Sequence, residues 1–197
     1  HTRSFHVTGV QTCALPIFFD NARTHVSNLV GGLNKGWTVA KYLLGFERLN
    51  TGRVGVSKRE LVKLKSFAAK QMRNGRSLMD DVRFRDKVSR VEVELMALEL
   101  TNLRFLDEMR RTGQPPGADV SMLKIKGTEI QQALTELMVQ AVGPMAQPFK
   151  AMQGAFDAEA AFTASLMPRY CSTRKTTIYA GSNEIQRNII SKMTLGL

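Results

Sequence analysis

The chain has 197 residues, 43% of them hydrophobic and 23% charged, and carries a formal net charge of +11. That is enough for one good core of a globular protein. No uninterrupted apolar run reaches the roughly 20 residues of a membrane span, and the sparse aromatics and frequent Met suit helices packed on helices.

Residues 1–17 stand apart. Val7–Ile17, "VTGVQTCALPI", can be back-translated as a common sequencing-library adapter. The segment lacks the basic start, apolar stretch and small-residue cleavage site of a secretory signal. It is set aside as a translated artefact, and the natural chain is expected to continue upstream of Phe18. Without Cys13 in that segment, Cys171 is the one remaining thiol. It forms no disulfide within the chain and no metal-ligand spacing exists, so no metal is expected and a reducing cytoplasm is the default. Cys171 has no neighbouring His and reads as a half-buried, unreactive thiol.

The expected elements run as follows. "FFDNARTHVSNLVGG" reads as the tail of a strand leading into a loop. Asn34 is a candidate cap, and Gly36 to about Lys70 has helical period without Pro. Trp37, Ala40, Leu44, Glu47, Thr51 and Val54 share one stripe of that helix. "RNGRSLMDD" breaks the pattern.

The segment "RDKVSRVEVELMALELTNLRFLDEMRRTG" is the clearest helix, lined by Val88, Val91, Leu95, Leu98, Asn102, Phe105 and Met109. Gly113 and two prolines end it. Asp119 is a candidate cap for the next helix, whose stripe holds Leu123, Ile130, Leu134, Leu137 and Ala141, and which Gly143 and Pro144 stop. A shorter helix follows from about Asp157 to Tyr170, and a last one from Asn183 to Leu195. Long helices on short connectors give an all-α fold: an antiparallel four-helix bundle plus a short C-terminal helix, with a short N-terminal strand remnant.

Charge is concentrated between Arg53 and Arg90, where twelve Lys/Arg face Glu60, Asp80, Asp81 and Asp86. Such a bias attracts nucleic acid or a phosphorylated small molecule, or is a solvated helix face. No zinc-finger spacing and no aromatic-basic RNA motif accompanies it, so no nucleic-acid partner is expected.

Three places suit chemistry. Glu47 lies on an otherwise apolar stripe, so its carboxylate is expected to point inward. Burial raises a carboxyl pKa and suits a general base; an inward acid paired with a basic neighbour is the alternative. Gly45 and Gly52 share a helix face, as expected where backbone or ligand approaches closely. In "TIYAGSNEIQRNII", Ser182 or Asn183 can cap the last helix, whose free N–H groups suit carbonyl or phosphate oxygens.

"NLVGGLNKGWTVAKYLLGFER", "KIKGTEIQQALTELMVQAVG" and "TIYAGSNEIQRNIISKMTLGL", in this order, resemble the acyl-CoA dehydrogenase family. The resemblance runs from about Phe18 to Leu197. It implies that residues 18–33 are the end of a central β-domain with its linker, and residues 34–197 the C-terminal helical-bundle domain. It also implies oxidation of an acyl-CoA to a trans-2-enoyl-CoA, with FAD as hydride acceptor.

Many members carry the base after a tyrosine, in "YEG"; that position is Ala180 here. A second group carries it on the first bundle helix in an "ER" pair, which Glu47–Arg48 matches. By this resemblance Glu47 is the base and the Ala180 N–H binds the thioester carbonyl. Arg48, Tyr179 and Gly181 lie at the substrate. Gln140, Ser182 and Glu184 match flavin-binding positions, Gln140 often serving a neighbouring subunit. The family's "RxxFG" flavin contact is missing, and Arg73 or Arg76 is the candidate substitute. Implied partners are the acyl-CoA, electron-transfer flavoprotein and further subunits of a homo- or hetero-oligomer. The other reading is a non-catalytic partner subunit of a heteromeric dehydrogenase, contributing structure and part of a flavin site.

Overall fold

The computed structural model describes residues 18–146 and 158–197. The segment expected to be an artefact lies outside them, as does the expected helix start at Asp157. Among the described residues six α-helices follow one another: α1 (Gly36–Asn50), α2 (Val54–Lys70), α3 (Val82–Thr112), α4 (Ser121–Val142), α5 (Ala158–Thr173) and α6 (Asn183–Ile190). A two-residue antiparallel ribbon, β1 (Met72–Arg73) and β2 (Arg76–Ser77), turns the chain between α2 and α3. The chain falls into two compact units, one ending at Val39 and one from Ala40 to Leu197.

In the first unit the expected strand is absent. Residues 18–35 hold only a 3-10 turn at Val26–Asn28, tied by the Asn28 N–H to the His25 carbonyl. A lone strand has no ladder partner among the described residues, so turn hydrogen bonds satisfy this backbone instead. Asn34 takes a left-handed conformation two residues before α1 and does not cap it.

The second unit is the bundle. α4 is its central helix and packs on α2, α3, α5 and α6. The stripes expected on the two clearest helices are the core. Val88, Val91, Leu95, Leu98 and Phe105 of α3 meet Leu123, Ile130, Leu134, Leu137 and Ala141 of α4, and all are buried. Pairing runs antiparallel from α2 to α3, where Lys58 meets Glu99 and Lys65 meets Glu92. Asp81 caps α3, its Oδ1 accepting from the Arg83 and Phe84 N–H groups. Gly113 ends α3 in the left-handed conformation, its N–H donating to the Met109 carbonyl. Asp119 sits inside a 3-10 turn before α4 and caps nothing. Cys171 is exposed rather than half-buried.

The expected single helix over residues 36–70 is two helices. The break is at Thr51–Arg53, where Arg53 takes φ 47°. Its cause is a backbone contact. A Cβ added to Gly127 of α4 would sit 2.5 Å from Gly52 Cα and 2.6 Å from the Gly52 oxygen. Gly52 therefore serves close packing, as its position suggested. Gly45, its expected counterpart, has open space around its missing side chain.

Glu60 of α2 is the one buried carboxylate among the described residues. Burial pushes its pKa up, but the Arg169 hydrogen bond and charge, with Lys63 and Arg59, outweigh this and hold it below the ordinary value.

Two predictions follow from this packing. Gly127→Ala meets rigid backbone and should destabilise the chain by about 1–3 kcal/mol, whereas Gly45→Ala, in open helix, should stabilise it by up to about 1 kcal/mol; paired urea melts read both. For Glu60 the folded pKa is lowered, so its contribution is present above the unfolded value, about 4.3, and is lost as pH falls through the folded one. Glu60→Gln should therefore cost about 1–3 kcal/mol at pH 7, with the gap to the unmodified chain closing below about pH 4. Denaturant midpoints measured from pH 7 to 3 test this.

Candidate functional site

The site is assembled from three pieces, each held to α4. The first is the α1–α2 junction, which the Gly52–Gly127 contact presses against the N-terminal half of α4. The Thr51 hydroxyl donates to the Arg48 carbonyl at 2.6 Å and closes the last turn of α1. Glu47, Asn50, Thr51 and Arg53 thereby face the same way.

The second piece is the bend after α5. A 3-10 turn at Arg174–Thr177 is strapped to α4 in both directions. Gln132 Nε2 donates to the Arg174 carbonyl at 3.1 Å, and Arg174 Nη2 donates to the Gln132 carbonyl at 3.0 Å. The Arg174 guanidinium also lies 4.3 Å from the Tyr170 ring centre. Beyond the turn, Ala180 and Gly181 take φ 55° and 78°. An alanine in the left-handed region costs about 1–2 kcal/mol. The straps before it and Gln186 Nε2, 3.4 Å from the Ala180 oxygen after it, hold it there.

The third piece is a polar line on α4. Lys124 is 1% exposed. Its Nζ donates to Asn183 Oδ1 at 2.8 Å, and the Thr128 hydroxyl donates to the same oxygen at 3.3 Å. Burial pulls the Lys124 pKa below its usual value, against the opposing pull of Glu184. The clamp on Asn183 fixes the first residue of α6, and Ser182 caps that helix, its Oγ accepting from the Ile185 N–H. Glu184 is exposed in the first turn. Its own backbone N–H and Ser182 hold its carboxyl below the usual range.

These pieces frame an open cavity of about 220 Å³ lined by Glu47, Asn50, Thr51, Arg53, Lys124, Thr128, Gln131, Tyr179 and Ala180. The expected pairing of Glu47 with the Tyr179–Ala180 bend is thus present as a shared cavity. The expected burial is not: Glu47 is exposed. The reason lies in α1, which has no buried residue; Tyr42, Leu43 and Leu44 are all exposed as well. Toward its end Leu49 packs, half-buried, against the core, while the turns before Glu47 stay open. Arg48 is half-buried and does not line the cavity, and Gly181 lies beside it at the bend.

Gln140 is elsewhere. It lies in the last turn of α4, sixteen residues beyond Lys124, or about 24 Å along the helix. There Lys87 donates to Gln140 Oε1 at 3.0 Å, and Arg73 Nη2 donates to the Gln140 carbonyl at 2.6 Å. Two of the expected flavin positions, Gln140 and Arg73, are therefore neighbours. Ser182 and Glu184 stand at the opposite end of α4.

The residues that pattern reading passed over are Lys124, Thr128 and Gln131. They follow one another at three- and four-residue spacing beside the apolar stripe of α4, a polar line that the same periodicity makes visible. Among the described residues, no cluster of His, Cys, Asp or Glu is suited to a metal ion. No described helix is long and apolar enough to cross a membrane.

The profile of the acyl-CoA dehydrogenase C-terminal domain matches residues 34–195. The chain is 34% identical over 185 residues to acyl-CoA dehydrogenase IpdE1 of Mycobacterium tuberculosis, a match covering 92% of this chain and 43% of that protein. In structure it is similar to the ChsE4–ChsE5 complex from Mycobacterium tuberculosis, with a TM-score of 0.70 at 25% identity over 91% of this chain and 45% of that one. It shares its fold with acyl-CoA dehydrogenase from Geobacillus kaustophilus, with a TM-score of 0.71 at 21% identity over 91% of this chain and 44% of that one. The chain spans less than half the length of each of these proteins. Its bundle, and the profile match across nearly all of it, place the chain in the acyl-CoA dehydrogenase family, as a C-terminal domain.

Proposed function

We propose that this bundle is the C-terminal part of a flavin-dependent acyl-CoA dehydrogenase that uses Glu47 as its base. The observation that carries the reading is that Glu47 and the strained Ala180 bend line one cavity. The carboxylate that many relatives carry at the bend is missing there, and another carboxylate faces the same space from α1.

In this reading the thioester carbonyl docks on the Ala180 N–H. That N–H belongs to a left-handed residue held by its neighbours, so little reorganisation accompanies the reaction. Charge developing on the carbonyl oxygen is stabilised there, as in an oxyanion hole. Glu47 removes the proton alpha to the carbonyl and holds it on a carboxyl oxygen. Tyr179, 45% exposed, packs beside the acyl group. Lys124 acts indirectly: it clamps Asn183 and so positions the bend. Residues 18–33 are, in the same reading, a linker from a preceding domain. That domain would cover Glu47 and exclude water, and the apolar residues of α1 suit such a cover.

FAD fits the two polar ends of α4. Ser182 and Glu184 would hold it near the bend, while Gln140, with Arg73 and Lys87 beside it, suits phosphate oxygens. When bound, FAD would supply the hydride acceptor. About 24 Å of helix separates the two sets. In a two-fold dimer, Gln140 of one protomer would serve the flavin of the other. An outward stripe on α3 supports further subunits: Val93, Met96, Leu100 and Leu103 are each more than half exposed. Electron-transfer flavoprotein would then take up the electrons, in the cytoplasm.

The second reading, a non-catalytic partner subunit, is favoured by Ala180 itself and by the two-chain ChsE4–ChsE5 neighbour. Acyl-CoA-dependent dye reduction by the full-length protein purified alone separates the two.

In that full-length protein, Glu47→Gln should keep FAD and lose about 10²–10⁴-fold in the rate of flavin reduction by acyl-CoA. Adding Ala180→Glu to that variant should restore part of the rate. Undiminished reduction in Glu47→Gln, followed by stopped-flow bleaching of the flavin, would refute the assignment.

A further inference from the structure

A second cavity adjoins the first. It also measures about 220 Å³ and lies between α2, α4 and α5. The two share Arg53, Gln131 and Tyr179 at their common rim. Its apolar wall is Val56, Leu134, Met138 and Leu166.

Three features distinguish it from a packing gap, which in a protein interior is apolar and dry. Ser57 lines it at 1% exposure, and its Oγ has no hydrogen-bond partner among the described residues. A buried hydroxyl left unpaired is costly, so a polar ligand group has something to gain there. Glu60 also lines the cavity, but its charge is already matched by Arg169 at 2.8 Å. Arg53 and Lys175 then add two cations to the lining, and among the described residues Glu60 is the one carboxylate that lines this cavity; Arg53 also shares the first cavity with Glu47. Arg53 is also held at the rim in a left-handed conformation imposed by the neighbouring Gly52–Gly127 contact.

We propose that the second cavity binds the distal part of the acyl group, and that this part carries a carboxylate. The acyl carbons pass Tyr179 and pack on Leu134, Met138 and Leu166. The carboxylate is matched by Arg53 and Lys175, with the Ser57 hydroxyl as a further donor. The substrate class is therefore a thioester of a dicarboxylic acid with an apolar body. Delivery of the thioester end rests on the dehydrogenase reading. The cavity's affinity for an apolar carboxylate does not.

The test uses octanoate and octan-1-ol, which share a body and differ in the anion. Methyl groups of methionine are observed by NMR in the 197-residue chain and again in the full-length protein, with Met138 assigned through Met138→Leu. Octanoate should move the Met138 signal and bind at least tenfold more tightly than octan-1-ol. Arg53→Gln should bring octanoate to the affinity of the alcohol while leaving the Met138 signal of the free protein in place. Equal affinity for acid and alcohol, an Arg53→Gln chain that binds octanoate as before, or a Met138 signal that does not move would each overturn the proposal. Those results leave the Glu47→Gln bleaching experiment untouched, so the two readings fail separately.

Discussion

The contact between Gly52 and Gly127 is the constraint on which the site depends. A Cβ on Gly127 would collide with the backbone of Gly52, so the α1–α2 junction and α4 approach more closely here than a side chain at Gly127 allows. A continuous helix over residues 36–70 would carry its axis straight through this approach. The chain instead breaks at Thr51–Arg53 and sets α1 at the end of α4 where the bend also arrives. Glu47 and Ala180 come from positions more than 130 residues apart in sequence. They face one cavity because both are referenced to the same two turns of α4. The clamp of Lys124 and Thr128 on Asn183 fixes the bend from one side of those turns. The glycine contact fixes the junction from the other.

The unit buries two charged side chains among its described residues, and it treats them differently. Glu60 is compensated by charge, with Arg169, Lys63 and Arg59 around it. Lys124 has one described hydrogen bond, to a neutral amide, and Glu184 opposes its desolvation only through space. A buried cation with so little compensation is costly. On the proposed reading that cost has a return, because the same ammonium positions the Ala180 bend through Asn183. The difference also separates the two cavities. The one beside Lys124 is lined mostly by polar residues, whereas the one beside Glu60 adds Val56, Leu134, Met138 and Leu166 to its polar lining.

Much of this was legible in the sequence. The inward faces of α3 and α4 follow from spacing alone, because both helices are long and their stripes pack on each other. The ends at Gly113 and Gly143 and the cap at Ser182 follow from residue chemistry. The break at Thr51–Arg53 was hidden because no Pro marks it and the helical period runs through it; its cause is a glycine 75 positions away in sequence. The burial of Glu47 was misread for a related reason. An apolar stripe shows which side of a helix seeks a partner, not whether the partner is present. The polar line Lys124–Thr128–Gln131 was visible in principle, but beside a strong apolar stripe it reads as the solvent edge.

The exposed residues of α1 and α3 then become informative. Leucines and aromatics open to water on one helix are ordinary, but contiguous apolar patches on two separate helices are not. On the proposed reading they have different causes. Tyr42, Leu43 and Leu44 lie next to Glu47 on α1, where covering the helix would also desolvate the base. Val93, Met96, Leu100 and Leu103 lie on the outer face of α3, away from both cavities, and a cover there would change no chemistry. A partner on α1 would therefore remove water from around Glu47, while a partner on α3 would alter only assembly. On that reading the bundle contributes the geometry of proton abstraction, and the low-dielectric surroundings that suit a carboxylate base would come from what closes over α1.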